Sequence, residues 1–253
     1  MARRRGEGYA GQGLDAADIF SVIYFDQLEF DKKALQDPAR NRFLLSAGHY
    51  SIVLFAALAE AGVFSHSELL TYGANESRLE MSATETTPGV EITGGALGHG
   101  LSQAVGMALG SRLSGRNFRV YNFLSDGELQ EGSTWEAAMA ASHFQLGELF
   151  AIVDINNMQA DGKVSSVMTV EPVEAKWEAF GWHTQRVNGN SIEALVGAFD
   201  KAREVRGKPK VLVCETQLGY GVPLVANRAK SHFVRLDATE WNRARRELDV
   251  SQP

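Results

Sequence analysis

Between residues 118 and 216, apolar runs of strand length alternate with stretches of helical periodicity, and this alternation most constrains the fold. FRVYNFL (118–124), LFAIVDI (149–155), the short 183–187 and KVLVCET (210–216) read as strands. The segments 131–144, 171–180 and 191–205 read as helices, the first Ala-rich with Trp135 and Met139 at i, i+4 and the second with Pro172 suited to its first turn. Strands that alternate with helices predict an α/β fold, a mostly parallel sheet with helices on both faces. Three further helical patterns precede these, at 16–28, 49–61 and 98–113, and the glycine-rich GGALGHG at 94–100 leads into the last. With no repeat, low-complexity linker or break in composition, one α/β domain over 1–253 is expected.

Composition narrows the function classes. At 44% hydrophobic and 22% charged residues, the 253-residue chain can bury a sizeable core. Its net charge of -6 points away from broad nucleic-acid affinity, and the terminal Arg3-Arg4-Arg5 cluster reads as a solvated end. No apolar stretch approaches the roughly 18 residues that span a membrane. The basic start lacks the apolar segment of a secretory signal. The single Cys214, inside VLVC, reads as a core residue, which fits a reducing, cytoplasmic setting.

Chemistry concentrates at two strand ends. Ser125-Asp126-Gly127-Glu128 closes one predicted strand and Asn156-Asn157 closes the next. In open α/β sheets, ligands bind at the carboxyl ends of strands. A divalent cation such as Mg²⁺ takes oxygen ligands from one or two side chains plus phosphate oxygens and water. Asp126 would supply a carboxylate oxygen, Asn156 an amide oxygen, and Met158 a backbone carbonyl. Gly127 would let the backbone approach a phosphate, and a helix starting near Glu128 would offer it free N–H groups. The alternative is an ordinary strand-to-helix turn that Asp126 merely caps.

The run SDGELQEGSTWEAAMAA, followed by VDINNMQADG and FGWH, resembles the diphosphate-binding half of transketolase, and in particular the separate N-terminal subunit of two-chain transketolases. The resemblance covers nearly the whole sequence, including DAADIF at 15–20, RFLLSAGHYS at 42–51, PGVEITGGALGHGLSQAVGMAL at 88–109 and ETQLGYGVP at 215–223. It implies the thiamine diphosphate-binding fold of the diphosphate (PP) type. It also implies thiamine diphosphate held through Mg²⁺, or another divalent cation such as Ca²⁺ or Mn²⁺. By matched position, Asp126 and Asn156 become side-chain metal ligands and Met158 the carbonyl ligand, with Ser125 and Gly127 beside the cofactor. His49 matches a histidine near the diphosphate and the reacting carbon; by itself it would read as a structural hydrogen-bonding residue. Gly95-Ala96-Leu97 matches a Gly-Pro-Leu stretch that cradles the aminopyrimidine. His99 is either near the cofactor or supporting structure. Glu131 and Glu136 match glutamates at the subunit interface, or are solvated helix acids. His232 resembles a histidine near diphosphate and substrate, which makes it a second catalytic candidate beside His49.

The sequence also departs from the family pattern. Ser125 stands where the family has glycine. Tyr9, in GYAGQGL, takes the place of a substrate-contacting histidine. A second such histidine is missing where Arg78-Leu79-Glu80-Met81-Ser82 stands, and the helix that usually precedes the first motif is almost absent. These changes bear on the substrate more than on the cofactor. Thiamine chemistry needs a carboxylate beside the pyrimidine ring, which the family places on a second domain. With the sequence stopping at Pro253, an obligatory pyrimidine-binding partner subunit and an α2β2 assembly are expected. The expected activity is transfer of a two-carbon ketol unit from a ketose to an aldehyde. The alternatives are ketol or acyl transfer to a specialised biosynthetic acceptor, free or carrier-bound, and a non-catalytic scaffold subunit.

Overall fold

Apolar side chains alternate in facing along the central strands, and this builds a core on each side of the sheet. The computed structural model describes residues 1–28, 30, 32–228 and 231–251; Lys230 and Pro253 lie outside them. The described strands, in chain order, are β1 (Glu7–Gly8), β2 (Arg42–Leu45), β3 (Val120–Ser125), β4 (Leu149–Ile155), β5 (Met158–Gln159), β6 (Gly162–Lys163), β7 (His183–Asn188), β8 (Lys210–Glu215) and β9 (Val234–Arg235). A five-stranded sheet runs in the order β2-β3-β4-β8-β7, with every pair parallel. Two short antiparallel ribbons, β1 with β9 and β5 with β6, lie apart from it.

Residues two apart on a strand share a face. Phe43, Leu45, Tyr121, Phe123, Phe150, Ile152, Leu212 and Cys214 accordingly join one core, where Phe20, Phe55 and Phe199 cover them. Leu44, Val120, Leu124, Ala151, Val153, Val211 and Val213 join the other, against helices His99–Leu113, Gly132–His143 and Val173–Ala179. Burial on both faces is why these strands read as unbroken apolar runs. Each fully buried large side chain contributes roughly 2–3 kcal/mol. The chain moves outward across the sheet from β3 to β4 to β7, then steps back to β8. Right-handed crossovers then put the returning helix, Ile192–Glu204, on the opposite face from Gly132–His143 and Val173–Ala179. Its Leu195 and Phe199 indeed lie in the first core. Cys214 is fully buried there, and burial pushes its thiol pKa well up.

Several expectations need correction. The helix predicted at 16–28 is two pieces, Ala17–Val22 and a π-helical turn, Ile23–Gln27, and a further helix, Ala10–Asp15, precedes them unread. The break at Ala16 (φ -92°, ψ 1°) follows directly on Asp15, whose side chain is buried. The segment 49–61 opens with a 3-10 turn, Gly48–Tyr50, before helix Ser51–Glu60. The helix expected to start near Glu128 is a 3-10 turn, Gly127–Gln130, and the true helix starts at Gly132. Pro172 precedes its helix as N-cap rather than sitting in the first turn. Trp135 stacks on Phe180 while Met139 is exposed, so the two do not share a buried stripe. β2 and the C-terminal helix Ala238–Ser251 went unread as elements. Among the described residues, no helix is long and apolar enough to cross a membrane.

Candidate cofactor site at the carboxyl ends of β3 and β4

β3 and β4 are neighbours, with Ser125 opposite Asp154, so the residues just beyond them meet. Asp126 is almost completely buried. One of its carboxylate oxygens accepts from Gly127 N at 2.8 Å, which is the capping bond, and the other from Asn157 N at 2.7 Å. The carboxylate therefore caps its own turn and clasps the turn after β4. Burial, with the nearby Asp154 charge adding to it, raises the Asp126 pKa to about 7. Asn157 holds its turn in the left-handed region at φ 59°, while its side-chain oxygen accepts from Ser165 N at 2.9 Å. Asn156 Oδ1 accepts from Met158 N at 2.9 Å. Asp126, in the turn after β3, thus meets the turn after β4 that carries Asn156 and Met158. Their carboxylate, amide and carbonyl oxygens form the donor set a hard divalent cation prefers. Ser125 is buried at the end of β3, and a Cβ on Gly127 would come within 3.2 Å of Gln159 Oε1.

Beneath the turn lies a polar cluster that the sequence reading missed. Asn156 Nδ2 reaches Asp15 Oδ2 at 2.9 Å, Asp154 Oδ2 at 2.9 Å and the Tyr50 hydroxyl at 3.1 Å. The hydroxyls of Tyr50 and Thr216 donate to Asp154. Asp15 and Asp154 are completely buried, and burial holds both carboxyls above the usual range, Asp154 at about 6. Asp154 did carry a signal, as a charge inside an otherwise apolar strand; Asp15 and Tyr50 carried none.

The aromatic wall is built from both ends of the chain. Tyr9 follows β1, and His232 and Phe233 precede β9. The Tyr9 ring lies 5.4 Å from His49, 5.8 Å from His232 and 5.0 Å from Phe233, and the two imidazoles are 5.2 Å apart. Gln12 hydrogen-bonds His232 Nδ1 at 2.7 Å. The structure therefore brings the two catalytic candidates together, with Tyr9 between them and Phe233. A cavity of about 430 Å³ opens between Tyr9, His232, Phe233 and Met158. Another, of about 610 Å³, brings Lys163 and Arg228 to the Asn156–Met158 turn. The largest described cavity, about 680 Å³, lies between residues 217–227 and the C-terminal helix and contains none of the candidates.

The 94–98 loop is seated on the turn before His49. Gly95 N donates to Ser46 O at 2.9 Å, and a Cβ on Gly48 would fall 2.7 Å from Gly95 N. Gly98 takes φ 84° and donates its N–H to Glu128 Oε1 at 2.8 Å, and Ser46 donates its hydroxyl to the same oxygen. Glu128 is thus turned inward, fully buried, and fixes the loop; burial raises its carboxyl pKa to about 7. Gly95 and Ala96 are exposed and Leu97 half-buried, leaving this stretch open to solvent. His99, Glu131 and Glu136 are exposed, and Glu131 N-caps helix Gly132–His143. Ser82, in place of the second histidine, donates to Gly94 O at 3.1 Å.

His49 yields a pH prediction. Its pKa falls from 6.5 to about 3, because burial opposes its charged form and His232 adds a like charge. The folded protein keeps the ring neutral while the unfolded chain protonates it below about 6.5. The stability from this group is complete above that pH and is lost as pH falls toward 3. Between about pH 7 and pH 4, His49→Gln is expected to lose less stability than the wild-type protein, by on the order of 2–3 kcal/mol. Urea midpoints of the metal-free proteins read this; parallel losses would show that the folded protein protonates His49 freely.

Residues 2–252 match the family model for "Transketolase, thiamine diphosphate binding domain". A putative uncharacterized transketolase family protein of Sinorhizobium fredii is 49% identical over 99% of this chain and 90% of its own length. A 6-deoxy-6-sulfo-D-fructose transketolase subunit of a Clostridium species is 36% identical over 96% of this chain and 89% of its own. The transketolase structure from Campylobacter jejuni superposes with a TM-score of 0.90 at 27% identity over 98% of this chain, which spans 40% of that longer chain. With the fold already in agreement, these likenesses place the chain in the transketolase family, as its thiamine diphosphate binding domain.

Proposed function

We propose that this chain is the diphosphate-binding subunit of a two-component, cytoplasmic transketolase-type enzyme. With a pyrimidine-binding partner, as an α2β2 assembly, it transfers a two-carbon ketol unit from a ketose donor to an aldehyde acceptor. The observation that carries the reading is the single turn after β4, which joins Asp126, Asn156 and Met158. Asp126 is a buried carboxylate that makes no ion pair among the described residues, and a divalent cation would supply its missing counter-charge. Asp126, Asn156 and the Met158 carbonyl would hold Mg²⁺, or Ca²⁺ or Mn²⁺ in its place. When bound, thiamine diphosphate supplies a nucleophilic carbon and an electron sink for breaking the C–C bond.

The protein's own residues do the positioning. Gly95, Ala96 and Leu97 cradle the aminopyrimidine on a loop fixed by Glu128. His49 and His232, whose charged forms burial disfavours, would face the diphosphate and the reacting carbon as hydrogen-bonding and proton-moving groups. Glu131 and Glu136, exposed around the start of helix Gly132–His143, are assigned to the subunit interface. Calorimetric titration of the chain together with its partner tests the reading. Thiamine diphosphate should bind with Mg²⁺ and bind far more weakly in EDTA. Absence of binding in both conditions would instead favour a scaffold subunit.

Tyr9 favours a second reading of the substrate. Its phenol and Phe233 narrow the wall where the family has an imidazole. This suits a specialised acceptor, and the likeness to a subunit named for a sulfonated ketose points to substrates away from the ordinary sugar phosphates. Assay of the reconstituted pair with a ketose phosphate and an aldose phosphate separates the two. Cofactor binding without turnover of sugar phosphates selects the specialised acceptor.

A further inference from the structure

Asp15 has no place in the proposed chemistry, yet it is completely buried at the end of helix Ala10–Asp15. One of its carboxylate oxygens accepts from Asn156 Nδ2 at 2.9 Å, and the other has no hydrogen-bond partner among the described residues. A buried carboxyl so poorly satisfied costs the fold free energy. An apolar residue would serve packing better, so its use lies elsewhere.

A side-chain amide has two chemically different ends, a donor NH₂ and an acceptor oxygen. Around Asn156 the surroundings are sorted accordingly. Asp15, Asp154 and the Tyr50 hydroxyl surround the nitrogen, and Tyr50 spends its own proton on Asp154, so a lone pair faces the amide. The N–H of Met158 meets the oxygen at the other end. Turning the amide over would set its oxygen against two carboxyl groups and its NH₂ against an N–H. Asp154 also serves Thr216 and Tyr50, whereas the side-chain donor that Asp15 meets is the amide of Asn156.

We infer that Asp15 is a positioning residue for the cation site: with Asp154 and Tyr50 it pins the amide nitrogen of Asn156 inward, so that the amide oxygen faces outward to take a divalent cation. This rests on the proposed assignment of Asn156 as a ligand. It also ties the segment that carries Tyr9 and Gln12 to the turn after β4. The backbone oxygen of Asp15 extends the tie, accepting from Asn190 Nδ2 at 2.8 Å.

The test is Mn²⁺ affinity, read by electron paramagnetic resonance on the assembled enzyme with thiamine diphosphate present. Supporting residues of this kind set metal affinity by about 10- to 100-fold, and Asp15→Ala should weaken Mn²⁺ by that amount. The melting temperature of metal-free Asp15→Ala should not fall. Asp15→Asn keeps an acceptor oxygen for the same NH₂ and should restore near-wild-type affinity. If Asp15→Ala does not fold, Asp15→Leu, of similar size and equally unable to accept, is read in the same way. Unchanged affinity in Asp15→Ala, where Asp126→Ala loses it, overturns the positioning role alone. Unchanged affinity in both overturns the cation site itself. An Asp15→Asn loss as large as that of Asp15→Ala assigns the effect to charge and overturns the pinning of the amide.

Discussion

Asp126→Ala is expected to lower Mg²⁺-dependent thiamine diphosphate affinity by about 10³-fold or more, while the metal-free fold survives. The size follows from what remains. Without Asp126, the proposed ligand set is one amide and one carbonyl oxygen, both uncharged, and Mg²⁺ sheds water reluctantly for such ligands. The survival of the fold follows from opposing terms. The substitution removes a buried carboxyl whose pKa is raised to about 7, which relieves desolvation. It also strands the N–H groups of Gly127 and Asn157, at about 1–3 kcal/mol each if no water reaches them. Asp126→Asn, which keeps an acceptor oxygen but not the charge, should show the same loss of affinity with less change in melting temperature. Calorimetry with and without Mg²⁺, alongside thermal melting, checks both. Wild-type affinity in either variant would remove Asp126 from the ligand set.

The second large effect is dependence on the partner. Each buried carboxylate near the site is already committed within the chain: Asp15 to Asn156, Asp126 to Gly127 and Asn157, Asp154 to Tyr50 and Thr216, and Glu128 to Ser46 and Gly98. None is free over the exposed Gly95–Leu97 stretch, where an activating carboxylate would have to meet the aminopyrimidine. A well-placed general acid–base group contributes about 10²–10⁴-fold, so the chain alone should turn over at least that much more slowly than the pair. Rates for the chain alone, the partner alone and the mixture decide this. Turnover by the chain alone at a rate near that of the mixture would show that a carboxylate in this chain does the work.

The strands that build both cores were legible because burial on two faces leaves little choice but unbroken apolar runs, and LFAIVDI marks β4 from end to end. β2 was not legible as a strand: it has only four residues, RFLL, and it runs straight into the turn at Ser46–Gly48. Helix Ala10–Asp15 was equally hidden, since Gly11 and Gly13 are two of its six residues and glycine is a poor helix former. At the site, the turns bearing Asp126 and Asn156 stood out because each closes a strand. The support beneath them did not, because Asp15, Tyr50 and Thr216 come from segments far apart in sequence that share nothing but the space under one amide.

The two-residue ribbon of β1 and β9 pairs Glu7 with Arg235 and Gly8 with Val234. Tyr9 hangs from one strand of this ribbon, and His232 and Phe233 lead into the other. The aromatic wall proposed to meet the substrate is therefore built jointly by the first and last parts of the chain, joined through a ribbon of two residue pairs. Selection for a new substrate can thus work at the termini, where a change in one ring is answered by its neighbour across the ribbon. The turn proposed to hold the cation, rooted in the sheet, need not change with it.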